Sequence, residues 1–151
     1  MRRKFRRKRG PVVSKKTIVD GIKFASGLEA YMYKALKAAK INAAYEGSTY
    51  TIFEGFDLEK TCYERCANGK GDYKDRGHKK ILNISYTPDF MGKGFIIECK
   101  GRANESFPLR WKMFKKYVQE HLPNVILYKP QNQKECDETV KLILKNNATK
   151  K

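Results

Sequence analysis

The feature that most constrains the fold lies at residues 86–101, which read YTPDFMGKGFIIECKG. Phe95, Ile96 and Ile97 form a run in which β propensity and burial coincide, so a buried strand is expected from Phe95 to Cys99. That strand carries Glu98 and leads into Lys100; Asp89 precedes it across a turn holding Gly92, Lys93 and Gly94. An unpaired buried carboxylate is expensive. Two acids on a buried hairpin with a lysine beside them therefore need compensation, and a divalent cation held by oxygen ligands supplies it. If the hairpin closes at Gly92-Lys93, Met91 pairs with Gly94 and Asp89 with Ile96. Side chains alternate along a strand and cross-strand partners share a face. Asp89, Glu98 and Lys100 then project from one face, opposite Ile97 and Cys99.

A chain of 151 residues is expected to form one domain with a real core. The net charge of +17 is extreme, and removing the seven cations within residues 2–9 still leaves +10. The excess belongs to the body as well as to the arm, and a polyanion, most commonly nucleic acid, is the expected partner. The four cysteines include no C-x-x-C pair, and no secretory-type apolar segment is present. A reducing cytosol is the expected compartment. No apolar run approaches a membrane span, so a soluble protein is expected.

Residues 1–16 form a basic arm broken at Gly10-Pro11. Its charge density predicts disorder. Its cations Arg2, Arg3, Lys4, Arg6, Arg7, Lys8 and Arg9 suit a salt-sensitive tether to a DNA backbone; a solubilising or RNA-binding tail is the plainer reading. Ser26-Gly27-Leu28-Glu29 opens a helix whose apolar stripe is Leu28, Tyr31, Met32, Ala35, Leu36 and Ala39. Ser26 and Glu29 have capping-box spacing, which by itself gives Glu29 a structural role. Residues 44–56 read as a strand or strand pair bent near Gly47, with Glu46 as a solvated acid at its start.

Residues 57–79 read as a polar, glycine-bearing loop, longer than most. Cys62, Cys66 and His78 in it are zinc-type donors at irregular spacing with no evident fourth ligand, so reduced loop cysteines are expected. Leu82, Ile84 and Tyr86 alternate with polar residues, predicting a half-buried strand over residues 80–90. A helix begins near Pro108, with Leu109, Met113, Tyr117 and Val118 as core stripe and Phe114 and Leu122 on its flank. Arg110, Lys112, Lys115 and Lys116, with Trp111 among them, fit a phosphate-contacting face. They fit equally a solvated face with Trp111 half-buried. Residues 124–129 predict a short buried strand and residues 135–146 a last helix. The order α-β-β-β-α-β-α predicts a small α/β domain.

Asp89 followed by Glu98-Cys99-Lys100 on the next strand resembles the signature of the PD-(D/E)XK nuclease superfamily. GLE at 27–29, YTPDF at 86–90 and ECKG at 98–101 together resemble the phage endonuclease I group of Holliday-junction resolvases. Residues 19–30 and 107–117 are similar to further phage proteins of that superfamily, and the similarity covers roughly residues 17–129. The resemblance implies a restriction-endonuclease-like core, αβββαβα with a mixed sheet flanked by helices, over residues 17–151. The insertion at 57–79 departs from the short connection of the resolvases. The resemblance further implies Mg2+ or Mn2+ held by Asp89, Glu98 and the backbone carbonyl of Cys99. Lys100 would orient the attacking water or stabilise the phosphate, and Glu29 would be a ligand or organiser, in cis or from the partner in a homodimer.

On this resemblance the partner is DNA, branched at a four-way junction, gripped by the basic arm and the helix carrying Arg110, Lys112, Lys115 and Lys116. No membrane and no small-molecule cofactor are expected, and the compartment is the host cytoplasm if the chain is phage-encoded. Two other readings compete. One is a nuclease of the same fold acting in duplex nicking, repair or transposition. The other is a non-catalytic nucleic-acid-binding module whose acids are structural; the joint presence of Asp89, Glu98 and Lys100 argues against it.

Overall fold

The computed structural model describes residues 14–149, so the basic arm of residues 2–9 lies outside the described residues. A hairpin comes first, where the periodicity marks no element. Asp20 and Gly21 join β1 (Thr17–Val19) to β2 (Ile22–Phe24). Both turn residues have positive φ, +51° and +77°, as a two-residue turn matched to the strand twist requires. The Asp-Gly pair between β-branched residues was the available signal. Asp20 also accepts hydrogen bonds from Tyr33 OH at 3.1 Å and Lys37 Nζ at 2.6 Å, which fastens the hairpin to α1 (Gly27–Ala38).

After β3 (Ala43–Tyr45) the chain runs out and back as an antiparallel ribbon. β4 (Tyr50–Phe53) pairs with β9 (Ile84–Tyr86), β5 (Phe56–Leu58) with β8 (Lys79–Ile81), and β6 (Tyr63–Glu64) with β7 (Lys74–Asp75). The ladders follow one nearly continuous register: Tyr50 opposes Tyr86, Phe56 opposes Ile81 and Glu64 opposes Lys74. Residues 57–79, expected as an irregular loop, are thus the outer ribbon and its tip. A ribbon wet on both faces buries neither set of alternating side chains, so no period-2 pattern announces it. Where its strands bend they approach closely: a Cβ on Gly77 would fall 1.8 Å from the Lys60 carbonyl oxygen. The single strand expected over residues 80–90 is likewise divided, and Leu82 is 72% exposed while Tyr86 reaches the core.

The central sheet has four strands in the order β12-β11-β10-β3, with β10 at Phe90–Gly92, β11 at Phe95–Ile97 and β12 at Ile126–Tyr128. β10 lies antiparallel to β3 and β11, and β11 lies parallel to β12. Alternation sends Phe90, Phe95, Ile97 and Cys99 to one face, against Phe24, Met32 and Leu36 and against Cys136 and Ile143 of α3 (Gln133–Ala148). Ile96 and Met91 face the other way and meet Tyr86, Phe107, Trp111, Phe114 and Val118, the last four from α2 (Phe107–His121). β11 is covered on both faces, which is why all three of its residues are apolar. β12, expected as a buried strand, is a partly exposed edge strand. The result is a mixed α/β fold with helices on both faces of a mixed sheet. Among the described residues no helix is long and apolar enough to cross a membrane.

Two corrections concern register and rotation. Gly92 pairs with Phe95, Met91 with Ile96 and Phe90 with Ile97, so the turn is Lys93-Gly94 rather than Gly92-Lys93. Gly94 takes the left-handed conformation, φ +80°. Gly92 stays in the strand because a Cβ there would lie 2.1 Å from the Phe95 ring. The register has moved by two residues, and a slip of two preserves faces where a slip of one would invert them. On α2 the buried stripe is Phe107, Trp111, Phe114 and Val118, while Leu109 is 64% exposed. This rotation puts three aromatic rings in the core, and aromatics carry the largest apolar area. Trp111 is therefore a core residue and not part of the basic face.

Candidate active site

The site is built where β10 and β11 continue past their paired residues. Asp89 stands just before β10 and Glu98 just after β11. Cys99 N–H donates to Asp89 Oδ2 at 2.6 Å, bridging the two extensions. Glu98 N–H donates to the Tyr128 carbonyl at 2.9 Å and Lys100 N–H to the Pro130 carbonyl at 3.1 Å, so both remain held by the parallel neighbour. The Asp89 carbonyl accepts from Glu46 N–H at 2.8 Å. Glu46 has φ +47° and an exposed side chain, the solvated strand-end acid that was expected. Lys100 shares the face of Glu98 and carries its ammonium 4.9 Å from the centre of the Phe107 ring at the start of α2. No ion pair joins Lys100 to either acid among the described residues.

Burial raises Asp89 from 3.8 to about 8, and the charges of Glu98 and then Glu29 add to the shift; the Cys99 N–H and Lys100 oppose it only in part. Burial also raises Glu98, against the pull of Tyr86 and Lys100. The Tyr86 phenol is pushed far up, first by burial and then by the Glu98 charge. Glu98 is only 6% exposed. Its Oε2 and the Tyr86 hydroxyl each lack a hydrogen-bond partner among the described residues. A buried and a half-buried carboxyl group thus share a corner with too little positive charge, the pattern of a functional site.

A pH dependence follows from the raised Asp89. Between pH about 4 and about 8 the folded protein keeps a proton that the unfolded chain has released. Stability without metal is therefore expected to fall as pH rises through that window. Thermal melts in EDTA should show the midpoint declining, and Asp89→Asn should flatten the decline. An equal slope in wild type and variant would remove Asp89 as its source.

Glu29 reaches the same region from the first turn of α1. Ser26 Oγ accepts from Glu29 N–H at 3.2 Å and donates to Glu29 Oε1 at 2.7 Å. Glu29 Oε2 accepts from Ala25 N–H at 3.0 Å and from Tyr45 OH at 2.7 Å. The capping-box spacing is realised, and both carboxylate oxygens are held by protein donors. Ser26, Glu29, Cys99, Lys100, Arg102 and Asn104 line a cleft of about 610 Å³, in which Glu29 and Lys100 come together.

The donor set suits a hard divalent cation. Asp89 and Glu98 offer carboxylate oxygens, one of them unpartnered, and their raised proton affinities mark a missing positive charge. Among the described residues no group of three His, Cys, Asp or Glu side chains is placed to hold a metal. Two side chains and a main-chain carbonyl such as that of Cys99 are nonetheless what an ion that keeps several waters requires. Among the described residues, Cys62, Cys66 and His78 are likewise not gathered into such a group.

Of the expected nucleic-acid contacts, Arg110, Lys112, Lys115 and Lys116 are all exposed on α2. Arg110 donates to the Ser85 carbonyl and lies over the Tyr86 ring at 5.8 Å. Lys116 pairs with Glu120 at 3.4 Å. Lys112 and Lys115 have no acidic partner among the described residues. Sequence reasoning missed Tyr86 and Tyr45, the phenols that face Glu98 and Glu29. Tyr86 stood in the YTPDF stretch on the half-buried face of the alternation, and a buried hydroxyl there was the clue. Tyr45 carried no such signal, because its partner is sixteen residues away.

One family model, described as a protein of unknown function (DUF1064), matches residues 9–129. The match takes in Glu29, Asp89, Glu98 and Lys100 together with the whole ribbon and α2. No curated protein and no solved structure matches the chain.

Proposed function

The chain belongs to the DUF1064 family of proteins of unknown function, and from the acidic pair at its centre we propose that it is a metal-dependent, structure-selective DNA endonuclease. The reading is carried by one observation: half-buried Asp89 stands beside buried Glu98, whose carboxylate keeps an oxygen without a partner among the described residues, and Lys100 is on the same face. The order α1-β3-β10-β11-α2-β12-α3 supports a restriction-endonuclease-like core, with the ribbon inserted after β3.

Asp89, Glu98 and the Cys99 carbonyl would hold Mg2+ or Mn2+. When bound, the ion would lower the pKa of a coordinated water and neutralise charge gathering on the phosphate. The chain's residues do the rest. The Cys99 N–H fixes one Asp89 oxygen, and the other would serve the ion. Lys100, with no ion-pair partner among the described residues, can swing from the Phe107 ring toward a phosphate and stabilise its added negative charge. Glu29, tied down by Ser26, Ala25 and Tyr45, acts as an organiser: it seats the start of α1 against the site and adds negative charge beside Asp89.

The charge of +17 and the exposed Lys112 and Lys115 favour a polyanionic substrate bound through its backbone, so selection follows DNA shape rather than sequence. A four-way junction is the proposed target, and a homodimer would place two such sites across it. The test is cleavage of a labelled four-way junction beside a linear duplex of the same sequence, with Mg2+ and with EDTA. Paired, metal-dependent cuts near the branch with the duplex spared are expected. Cutting of both substrates would keep the nuclease and remove the branch selectivity. Binding without cutting in Mg2+ and Mn2+ would leave a DNA-binding module.

A further inference from the structure

The outer ribbon has no role in the chemistry above, yet its tip is specifically furnished. Tyr63 and Tyr73 are diagonal neighbours across the last ladder, with ring centroids 6.0 Å apart. They are 60% and 68% exposed, and neither hydroxyl is hydrogen-bonded to a described residue. Two large rings held side by side in water are an unused stacking surface. The charge around them is sorted. Glu64 is taken by Lys79 at 2.7 Å, and Asp75 is taken by the N–H groups of Cys62 and Gly77 at 3.0 and 2.9 Å. Arg76 is turned inward onto the carbonyls of Glu64 and Asp72. Within residues 63–75, Arg65, Lys70 and Lys74 remain exposed without an acidic partner among the described residues, against a single uncommitted acid, Asp72.

The tip closes on its own backbone hydrogen bonds. Cys66 N–H donates to the Lys70 carbonyl at 3.1 Å, and Gly69 N–H to the Cys66 carbonyl at 2.8 Å. Aromatic faces interleaved with free cations are what an unpaired nucleic-acid strand uses: bases stack on the rings and phosphates meet the cations. The ribbon is also rooted at the site, since β9 ends at Tyr86, whose phenol feels the Glu98 charge and whose ring stacks on Phe114 at 4.4 Å. At about 3.3 Å per residue the paired arms carry the tip at most roughly 40 Å from that root.

We infer that the ribbon tip is a second nucleic-acid contact, in which Tyr63 and Tyr73 stack on unpaired bases while Arg65, Lys70 and Lys74 hold the adjoining phosphates. This rests on the reading of the protein as a DNA-acting enzyme and extends it. The ribbon takes bases left unpaired where strands part at a branch, and α2 takes the paired backbone.

The experiment is fluorescence anisotropy in EDTA with a labelled single-stranded oligonucleotide and a labelled duplex, for the wild-type chain, Tyr63→Ser/Tyr73→Ser and Tyr63→Phe/Tyr73→Phe. The serine pair is expected to weaken single-strand binding about tenfold or more, with the phenylalanine pair close to wild type, because stacking needs the ring and not the hydroxyl. Duplex affinity should change less than about twofold, since phosphate contacts dominate it. Equal losses on both DNAs, or no loss on single strands, would overturn the proposal. A wild-type dimer that the serine pair dissociates, with DNA affinity unchanged, would overturn it in favour of a self-association surface. Both variants change only exposed rings, and matching thermal midpoints check that they fold. No cleavage is read, so a protein that binds through the tip but never cuts would sink the nuclease reading alone.

Discussion

Glu98→Gln is expected to lower Mg2+-dependent DNA cleavage by at least about a thousandfold while leaving DNA binding intact or tighter. The substitution keeps the shape of the side chain and its backbone link to Tyr128, and it removes one of the two anionic groups available to a cation. The metal-free protein should at the same time become more stable. Glu98 is buried, raises Asp89, and has an oxygen with no partner, so its charge is a burden on the folded state until a cation offsets it. Loss of activity with a gain in the metal-free melting midpoint is the paired signature of a binding site strained for function. The measurements are cleavage of the junction substrate, anisotropy on the same DNA, and thermal melts with and without Mg2+. Melts should also show the metal-induced rise shrinking in the variant. A variant that unfolds and loses binding together would make Glu98 a structural acid instead.

Phe114→Ala is expected to destabilise the protein by about 3–5 kcal/mol, the range for truncating a buried aromatic. That is a large share of what holds a domain of this size together. Phe114 has no exposed surface and sits among Tyr86, Trp111 and Tyr50, with ring centroids at 4.4, 5.9 and 5.7 Å. The cavity opens directly behind Tyr86 and so beneath Glu98, and activity should suffer in the surviving folded fraction. Leu109→Ala is the control. Periodicity put Leu109 in the core stripe, but it is 64% exposed, and its truncation should change stability by less than about 0.5 kcal/mol. Urea unfolding of the two variants separates the two rotations of α2. Comparable losses would restore the stripe through Leu109 and Met113.

The centre of the protein was legible because several signals agreed there. Phe95, Ile96 and Ile97 could only be a strand covered on both sides, and the acids beside them stood out against that background. The face shared by Asp89, Glu98 and Lys100 was right although the turn was misplaced, since parity survives a slip of two residues. Ser26 with Glu29 announced the start of α1. The outer ribbon, residues 57–79, was not legible: with both faces in water and Gly77 at a bend, it carries neither alternation nor an apolar run. The rotation of α2 was not legible either, because Leu109-Met113 and Phe107-Trp111-Phe114 both have helical spacing.

What the sequence determined by itself is therefore local or two-residue periodic: the buried β-hairpin, the acids at its ends, the cap of α1, and a strongly positive net charge. What only the tertiary structure decided depends on which surfaces meet. It chose the aromatic stripe of α2, drew Tyr86 against Glu98 and Tyr45 against Glu29, and joined residues 50–86 into one ribbon. The physical reason is the range of the forces. Backbone alternation and capping act over a few residues and leave a mark in the order of the chain. Burial and desolvation act between segments far apart in sequence, and their outcome, including the raised proton affinity of Asp89, exists only once those segments are packed.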